Sequence, residues 1–217
     1  MIRVTAFRWV PPFAQGLVRD LRVRWALDEA GLPYEERLIG FEDQKTESYR
    51  RMQPFGQVPV YEEDGLVLFE SGAIVLHIAE KSEALMPSEP NARARTKTWI
   101  FAALNSLEQH VQNYTSLDLF FAKEEWAKQR RPSALETLQG RLQDLARWME
   151  GREYLEERFT AGDLMMSSVL RIMRHTELLA KYPVLAAYHQ RCEARPAFQK
   201  ALAAQMAPFA KNAPPGM

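Results

Sequence analysis

Cysteine is nearly missing from this chain: one residue, Cys192, stands among 217. An internal disulfide is therefore excluded, as is a metal site built on several thiolates, and the usage fits a reducing compartment. The histidines, His77, His110, His175 and His189, show neither the H-x-x-x-H nor the H-E-x-x-H spacing, so no metal site is read from them. Neither charge sign dominates, with 28 Lys and Arg against 28 Asp and Glu. Such a balance gives no general field for nucleic acid or an anionic membrane. The densest basic group, Arg19, Arg22 and Arg24, lies at helical spacing and reads as a solvated face. No apolar run approaches the roughly 18 residues that cross a bilayer. No basic segment followed by an apolar one opens the chain, so no signal peptide is expected. Internal repeats are absent, and the only low-complexity piece is the short tail KNAPPGM.

With 47% hydrophobic and 26% charged residues, the chain can bury a core without staples and has room for one or two domains. Residues 2–9, IRVTAFRW, read as a strand, broken by VPPFAQG. Leu17, Leu21 and Trp25, with Val18, Val23 and Leu27, give helical periodicity over 13–30, closed by Gly31 and Pro33. YEERLIGF is a second strand, EDQKTESYRRM is polar with a weak helical pattern, and QVPVYEEDGLVLFE reads as two strands joined at Glu63-Asp64-Gly65. SGAIVLHIAEKS then reads as a helix, with His77 a structural residue inside it. A long helical connection makes the first two strands parallel and the last two an antiparallel hairpin, so residues 1–83 predict a mixed four-stranded sheet with helices on its faces. Residues 84–91, with two prolines nearby, read as a linker, and 92–217 as an all-helical domain. Its helices start at about Arg93, Ser133 and Thr160, and Cys192 sits on a late helix as a small core residue.

Two features carry chemistry. Pro59 lies inside a strand pattern, where the missing N–H restricts it to an edge, a bulge or a cis peptide after Val58. Glu70 and Ser71 lie where a strand gives way to a helix. Ser71 is a natural N-cap, and Glu70 is favoured by the positive helix end, which explains both structurally. The functional alternative is that the helix N-terminus binds a carboxylate while the acid holds an ammonium, together an α-amino-acid end group.

The run QPFGQVPV, then a hairpin, then LFESGAIVLHIAEK resembles the glutathione-binding half of the cytosolic glutathione transferases of bacterial type, and RVRWALDEAGLPYE resembles that family's first helix and second-strand entry. The likeness covers most of residues 17–81 and implies a thioredoxin-like α/β domain followed by an all-α domain. It implies that Val58, ahead of a cis Pro59, pairs through its backbone with the cysteine of glutathione. It assigns Glu70 and Ser71 to the γ-glutamyl end, Gln57 to the neighbouring position, and Lys45, with Gln44 beside it, to the glycine carboxylate. FTAGDLMMSSVL carries Thr160 and Asp163 at capping-box spacing; in the family such a box opens a buried helix and serves folding.

One departure stands out. The family places a Tyr, Ser or Cys after the first strand to favour the thiolate, which is the nucleophile. The matching segment FRWVPPFAQGLVRD contains no Tyr, Ser, Thr or Cys. The substitutes are the indole N–H of Trp9, the charge of Arg8, the amide of Gln15, or backbone N–H groups at the start of the first helix. By resemblance, the second-substrate pocket draws on Trp9, Pro11, Phe13, Asn105, Glu108 and Tyr114; Asn105 and Glu108 are one helical turn apart and so share a face. The resemblance implies a cytoplasmic homodimer that binds glutathione and presents its thiolate to a hydrophobic electrophilic small molecule, in conjugation (detoxification) or glutathione-dependent reduction. Nucleic acid and membranes are not expected as partners. The rival expectation is a glutathione-binding protein without turnover, regulatory or carrier, on the same fold. A disulfide oxidoreductase acting through a protein thiol is not expected, since no cysteine lies near the first helix; one using the sulfur of glutathione stays open.

Overall fold

A computed structural model describes residues 1–214; the last three residues of the KNAPPGM tail lie outside the described residues. The chain divides into two compact units, residues 1–86 together with the chain from Ala194, and Pro87–Glu193. The sequence groups everything after residue 92 into the helical domain; instead the final helix packs with the first unit. The interactions between that helix and the first one, given below, are the physical reason.

The first unit is a thioredoxin-like sheet with helices. Strand β1 (Ile2–Phe7) pairs in parallel with β2 (Tyr34–Ile39), from Ile2 opposite Tyr34 to Phe7 opposite Ile39. It pairs antiparallel with β3 (Tyr61–Glu63), which turns into β4 (Leu66–Leu68), giving the order β2-β1-β3-β4. Asp64 and Gly65, with φ of 48° and 89°, make a two-residue turn; the sequence reading joins the strands at Glu63-Asp64-Gly65, and Glu63 instead ends β3. Pro59 lies just before β3 rather than within a strand, and the Val58–Pro59 peptide is cis, the third of the three readings.

Helix α1 (Asp20–Ala30) starts later than its periodicity suggests, because residues 12–19 form turns. Gly31 closes it at φ 68°, as expected. Arg22 and Arg24 do not form a solvated face: both are buried, Arg24 completely. Arg24 Nε donates to Asp20 Oδ2 at 2.7 Å, and its Nη1 donates to Glu36. Two carboxylates therefore compensate the buried guanidinium, without which its desolvation would be prohibitive. After α2 (Glu47–Met52) and α3 (Ser71–Ala79), Leu85 and Met86 are buried, so the predicted linker is tied down at its start.

The second unit begins with α4 (Pro90–Phe101), whose N-cap Glu89 accepts from Asn91 and Ala92 N–H. A π-helical segment, Ala102–Glu108, continues into α5 (Gln109–Leu119). Next comes α6 (Glu125–Met149), which starts ahead of the predicted Ser133 and runs through Pro132. Pro132 is exposed, so the helical bond it deletes lies on the solvent side, where it is tolerated. Helix α7 (Ala161–Leu170) is buried along almost its whole length and opens with the Thr160–Asp163 capping box, both halves present. Helix α8 (Pro183–Glu193) carries Cys192, fully buried as the sequence suggests. Among the described residues no helix is long and apolar enough to cross a membrane.

The chain from Ala194 forms α9 (Pro196–Lys211), which lies along α1 in the first unit. The Phe198 ring meets Trp25 edge-on at 4.8 Å, Arg195 donates twice to Glu29 at 2.6 and 2.8 Å, and Lys200 pairs with Asp28 at 2.6 Å.

Candidate functional site

The start of α3 is the most unusual point of the first unit. Glu70 is held at φ 70° and ψ 112°, a region that L residues avoid and that proteins keep where surrounding structure over-determines it, often at ligand clamps. Glu70 itself is thereby the non-helical residue at the turn, and its exposed carboxylate caps nothing. Ser71 is not the N-cap the sequence predicts; it is the first residue of α3 and is buried. Its Oγ instead accepts from Arg22 Nη1 at 3.3 Å. An uncapped helix end, a buried hydroxyl and a buried guanidinium thus converge beside an exposed carboxylate. Such a place favours a carboxylate at the helix end and an ammonium at Glu70.

The adjoining loop is built with equal care. The Tyr49 hydroxyl, on α2, donates to the Gln57 carbonyl at 2.6 Å, and burial pushes the phenol up to about 12, so it stays a donor. Gln53 accepts from Phe55 N–H at 2.7 Å through its side chain and from Gly56 N–H at 3.0 Å through its carbonyl. Gly56 has φ 63°, and a Cβ there would stand 2.9 Å from the Gln44 carbonyl oxygen. Val58 is buried with Tyr49, Ile39 and Val60, which anchors the segment before Pro59, while Gln57 is exposed. Lys45 ends a short 3₁₀ turn, Asp43–Lys45, and is exposed.

The loop after β1 separates the thiol-activating alternatives. Arg8 Nη2 donates to Asp43 Oδ2 at 3.0 Å and lies 4.0 Å from Glu42, so its charge is already engaged by the 3₁₀ turn. Gln15 uses its amide on the Val10 carbonyl at 3.0 Å. Trp9 is half-buried, and its indole N–H donates to no group among the described residues. Phe13 is half-exposed.

The residues expected to line a second-substrate pocket fare differently in the helical unit. Asn105 is exposed and Glu108 is buried, accepting from Gln112 at 2.9 Å. They do not share a face: in the π-helical segment i→i+5 bonding winds more residues into each turn, so a three-residue spacing no longer stacks. Tyr114 is buried, accepts from Arg131 Nη2 at 3.2 Å, and lines a hollow of about 380 Å³ with Asp118, Arg131, His175 and Lys181.

The sequence reading does not place Arg22, Tyr49 or Gly56 in the site. Arg22 carried a legible signal, since it stands at i+4 from Val18 and i−3 from Trp25, on the apolar stripe of α1. The tyrosine and glycine gave no local signal, because their partners are set by tertiary structure.

Comparisons with known proteins fit this geometry. Residues 14–80 match the family "Glutathione S-transferase, N-terminal domain". A glutathione S-transferase of Hypomyces subiculosus is 42% identical over 65 residues, 29% of this chain and 31% of that protein. The disulfide-bond oxidoreductase YfcG of Escherichia coli is 29% identical over 203 residues, 81% of this chain and 86% of that one. Among solved structures, a glutathione transferase family member from Pseudomonas fluorescens, crystallised with two glutathione bound, superposes with a TM-score of 0.81 at 25% identity, covering 93% of this chain and 92% of that one. With this N-terminal domain, this sheet order and this two-part architecture, the chain belongs to the cytosolic glutathione S-transferase superfamily.

Proposed function

We propose that the protein binds glutathione in its first unit and presents the thiolate to a small electrophile, by conjugation or by glutathione-dependent reduction. The observation that carries this reading is the convergence of Glu70, held at positive φ, with Ser71 and the buried Arg22 at the uncapped start of α3. In this reading α3 and Arg22 take the α-carboxylate of the γ-glutamyl end, Glu70 takes its ammonium, and Val58 pairs through its backbone with the cysteine. Gln57 lies alongside, and Lys45 takes the glycine carboxylate. Glutathione supplies the sulfur nucleophile. The chain must lower the cost of its charge, and with no hydroxyl available the Trp9 N–H is the side-chain donor left uncommitted. Arg8 serves the 3₁₀ turn instead. A hydrophobic electrophile as second partner, a cytoplasmic location, a homodimer and a detoxification role extend the reading by family habit.

Reduction of disulfides or mixed disulfides by the bound thiol is the second reading. The likeness to the oxidoreductase YfcG, over 81% of this chain and 86% of that one, favours it. Calorimetric titration with glutathione tests the site. Wild type should bind, and Glu70→Ala and Ser71→Ala should each weaken binding about tenfold or more, as expected for lost charge-assisted bonds. Unchanged affinity in both variants would remove the site.

A further inference from the structure

The buried polar side chains of the first unit are not scattered. Gln205, on α9, is 1% exposed, and its amide nitrogen donates to the Val18 carbonyl at 3.0 Å and to Asp20 Oδ1 at 2.7 Å. The Val18 carbonyl also accepts from Leu21 N–H at 3.0 Å, so Gln205 grips the carbonyl on which the first turn of α1 is built. Asp20, fixed on its other oxygen by Arg24, is the first residue of that helix. Two residues further on, Arg22 reaches Ser71. A continuous line of hydrogen bonds and one helical turn thus runs from the last helix to the start of α3. The Phe198, Arg195 and Lys200 contacts fix the register of α9 on α1, which places Gln205 at this turn.

An amide buried against a carbonyl and a carboxylate is a demanding choice. Its own Oε1 is buried without a partner, a cost that a purely space-filling methionine or leucine would avoid. We infer that Gln205 is a positioning residue for the end-group pocket: it sets the first turn of α1 so that the Arg22 guanidinium stays against Ser71 at the mouth of α3. This rests on the proposed glutathione site and adds to it a residue from the far end of the chain. The consequence is selective. Loss of the Gln205 amide disturbs recognition of the γ-glutamyl α-carboxylate and leaves recognition of the cysteinylglycine part alone.

The test compares two probe peptides by calorimetry, glutathione and 4-aminobutyryl-cysteinylglycine, which lacks that one carboxylate. Gln205→Met keeps bulk and removes the donor. It should weaken glutathione about tenfold and change the truncated peptide by less than about twofold. In a Ser71→Ala background the same substitution should have no further effect on glutathione, since both act on one interaction. Lys128→Ala, which breaks an exposed pair with Glu125 on α6 of the second unit, serves as the control and should leave both affinities unchanged. If Gln205→Met does not fold, the smaller Gln205→Ala also removes the donor and is read in the same way. Equal weakening of both peptides, or additive effects of the Gln205 and Ser71 substitutions, would overturn the inference. If wild type binds glutathione and Ser71→Ala weakens it while Gln205→Met does not, the inference alone falls. If wild type binds no glutathione, the proposed function falls, and this with it.

Discussion

Asp163 is the residue whose removal has the most calculable cost. Its carboxylate is completely buried. One oxygen accepts from Leu155 N–H at 2.8 Å and Tyr188 OH at 3.0 Å; the other accepts from Thr160 N–H at 2.9 Å and Thr160 OH at 3.2 Å. Burial pushes its carboxyl up to about 6 against the pull of those donors, so at pH 7 it is ionised. Asp163→Asn keeps the shape but turns one acceptor into a donor. Whichever way the amide lies, its NH₂ faces a backbone N–H, either that of Leu155 or that of Thr160. One buried donor left unpaired costs about 1–3 kcal/mol, and exchanging charge-assisted bonds for neutral ones adds about 1 kcal/mol, so roughly 3 kcal/mol is expected. At about 2–4 °C per kcal/mol for a chain of this size, the melting temperature at pH 7 should fall by roughly 6–12 °C. Differential scanning calorimetry reads this directly. The glutathione affinity of the folded variant should stay at the wild-type value, because the box shapes α7 and not the site. A shift below about 2 °C would refute the reasoning, since it would mean that the four donors find other partners at little cost.

Tyr49→Phe deletes the hydroxyl that holds the Gln57 carbonyl; about 1 kcal/mol of stability and a several-fold loss of glutathione affinity are expected, read by denaturant titration and calorimetry. Gly56→Ala forces a Cβ onto a positive φ and against the Gln44 carbonyl, so it should destabilise by about 1–2 kcal/mol or more and weaken glutathione binding in parallel. Trp9→Phe removes the uncommitted indole N–H; the pKa of the bound thiol should rise, measured by ultraviolet absorbance of the thiolate, while glutathione affinity at low pH stays unchanged. Glu63 is held down to about 2 by the hydrogen bond from Lys81 first, with Tyr61 and His77 adding to it against the opposing effect of burial. A folded pKa below the unfolded one gives stability that is present above about pH 4.5 and lost as the pH falls towards 2. Thermal scans across that window should show wild type losing stability on acidification and Lys81→Ala losing less.

Much of the first unit was legible because local chemistry and tertiary structure agree there. β-branched and aromatic residues point to β1, Glu63-Asp64-Gly65 to the hairpin, Gly31 to the end of α1, and Thr160-x-x-Asp163 to the start of α7. What escaped depended on partners distant in sequence. Arg22 and Arg24 read as solvated because arginine usually is, and only Asp20, Glu36 and Ser71, brought together by the fold, make their burial affordable. The positive φ of Glu70 has no sequence signature, so Ser71 read as a cap when it is the first helical residue. The π-helical turn at Ala102–Glu108 was invisible to a 3.6-residue period, and it separated Asn105 from Glu108. Helix α9 is helical in composition, so the sequence groups it with the helical domain; the contacts that bind it to α1 are single residues spread from Arg195 to Gln205.

The central claim is that this chain lowers the pKa of a bound glutathione thiol without a hydroxyl side chain after β1. Difference absorbance of the thiolate, recorded from pH 5 to pH 10 at saturating glutathione, tests it most directly. The account predicts a bound-thiol pKa well below the free value of about 8.5 in wild type, shifted back towards it in Trp9→Phe. Glutathione that binds with an unshifted thiol would contradict the claim and leave a binding protein in place of a transferase.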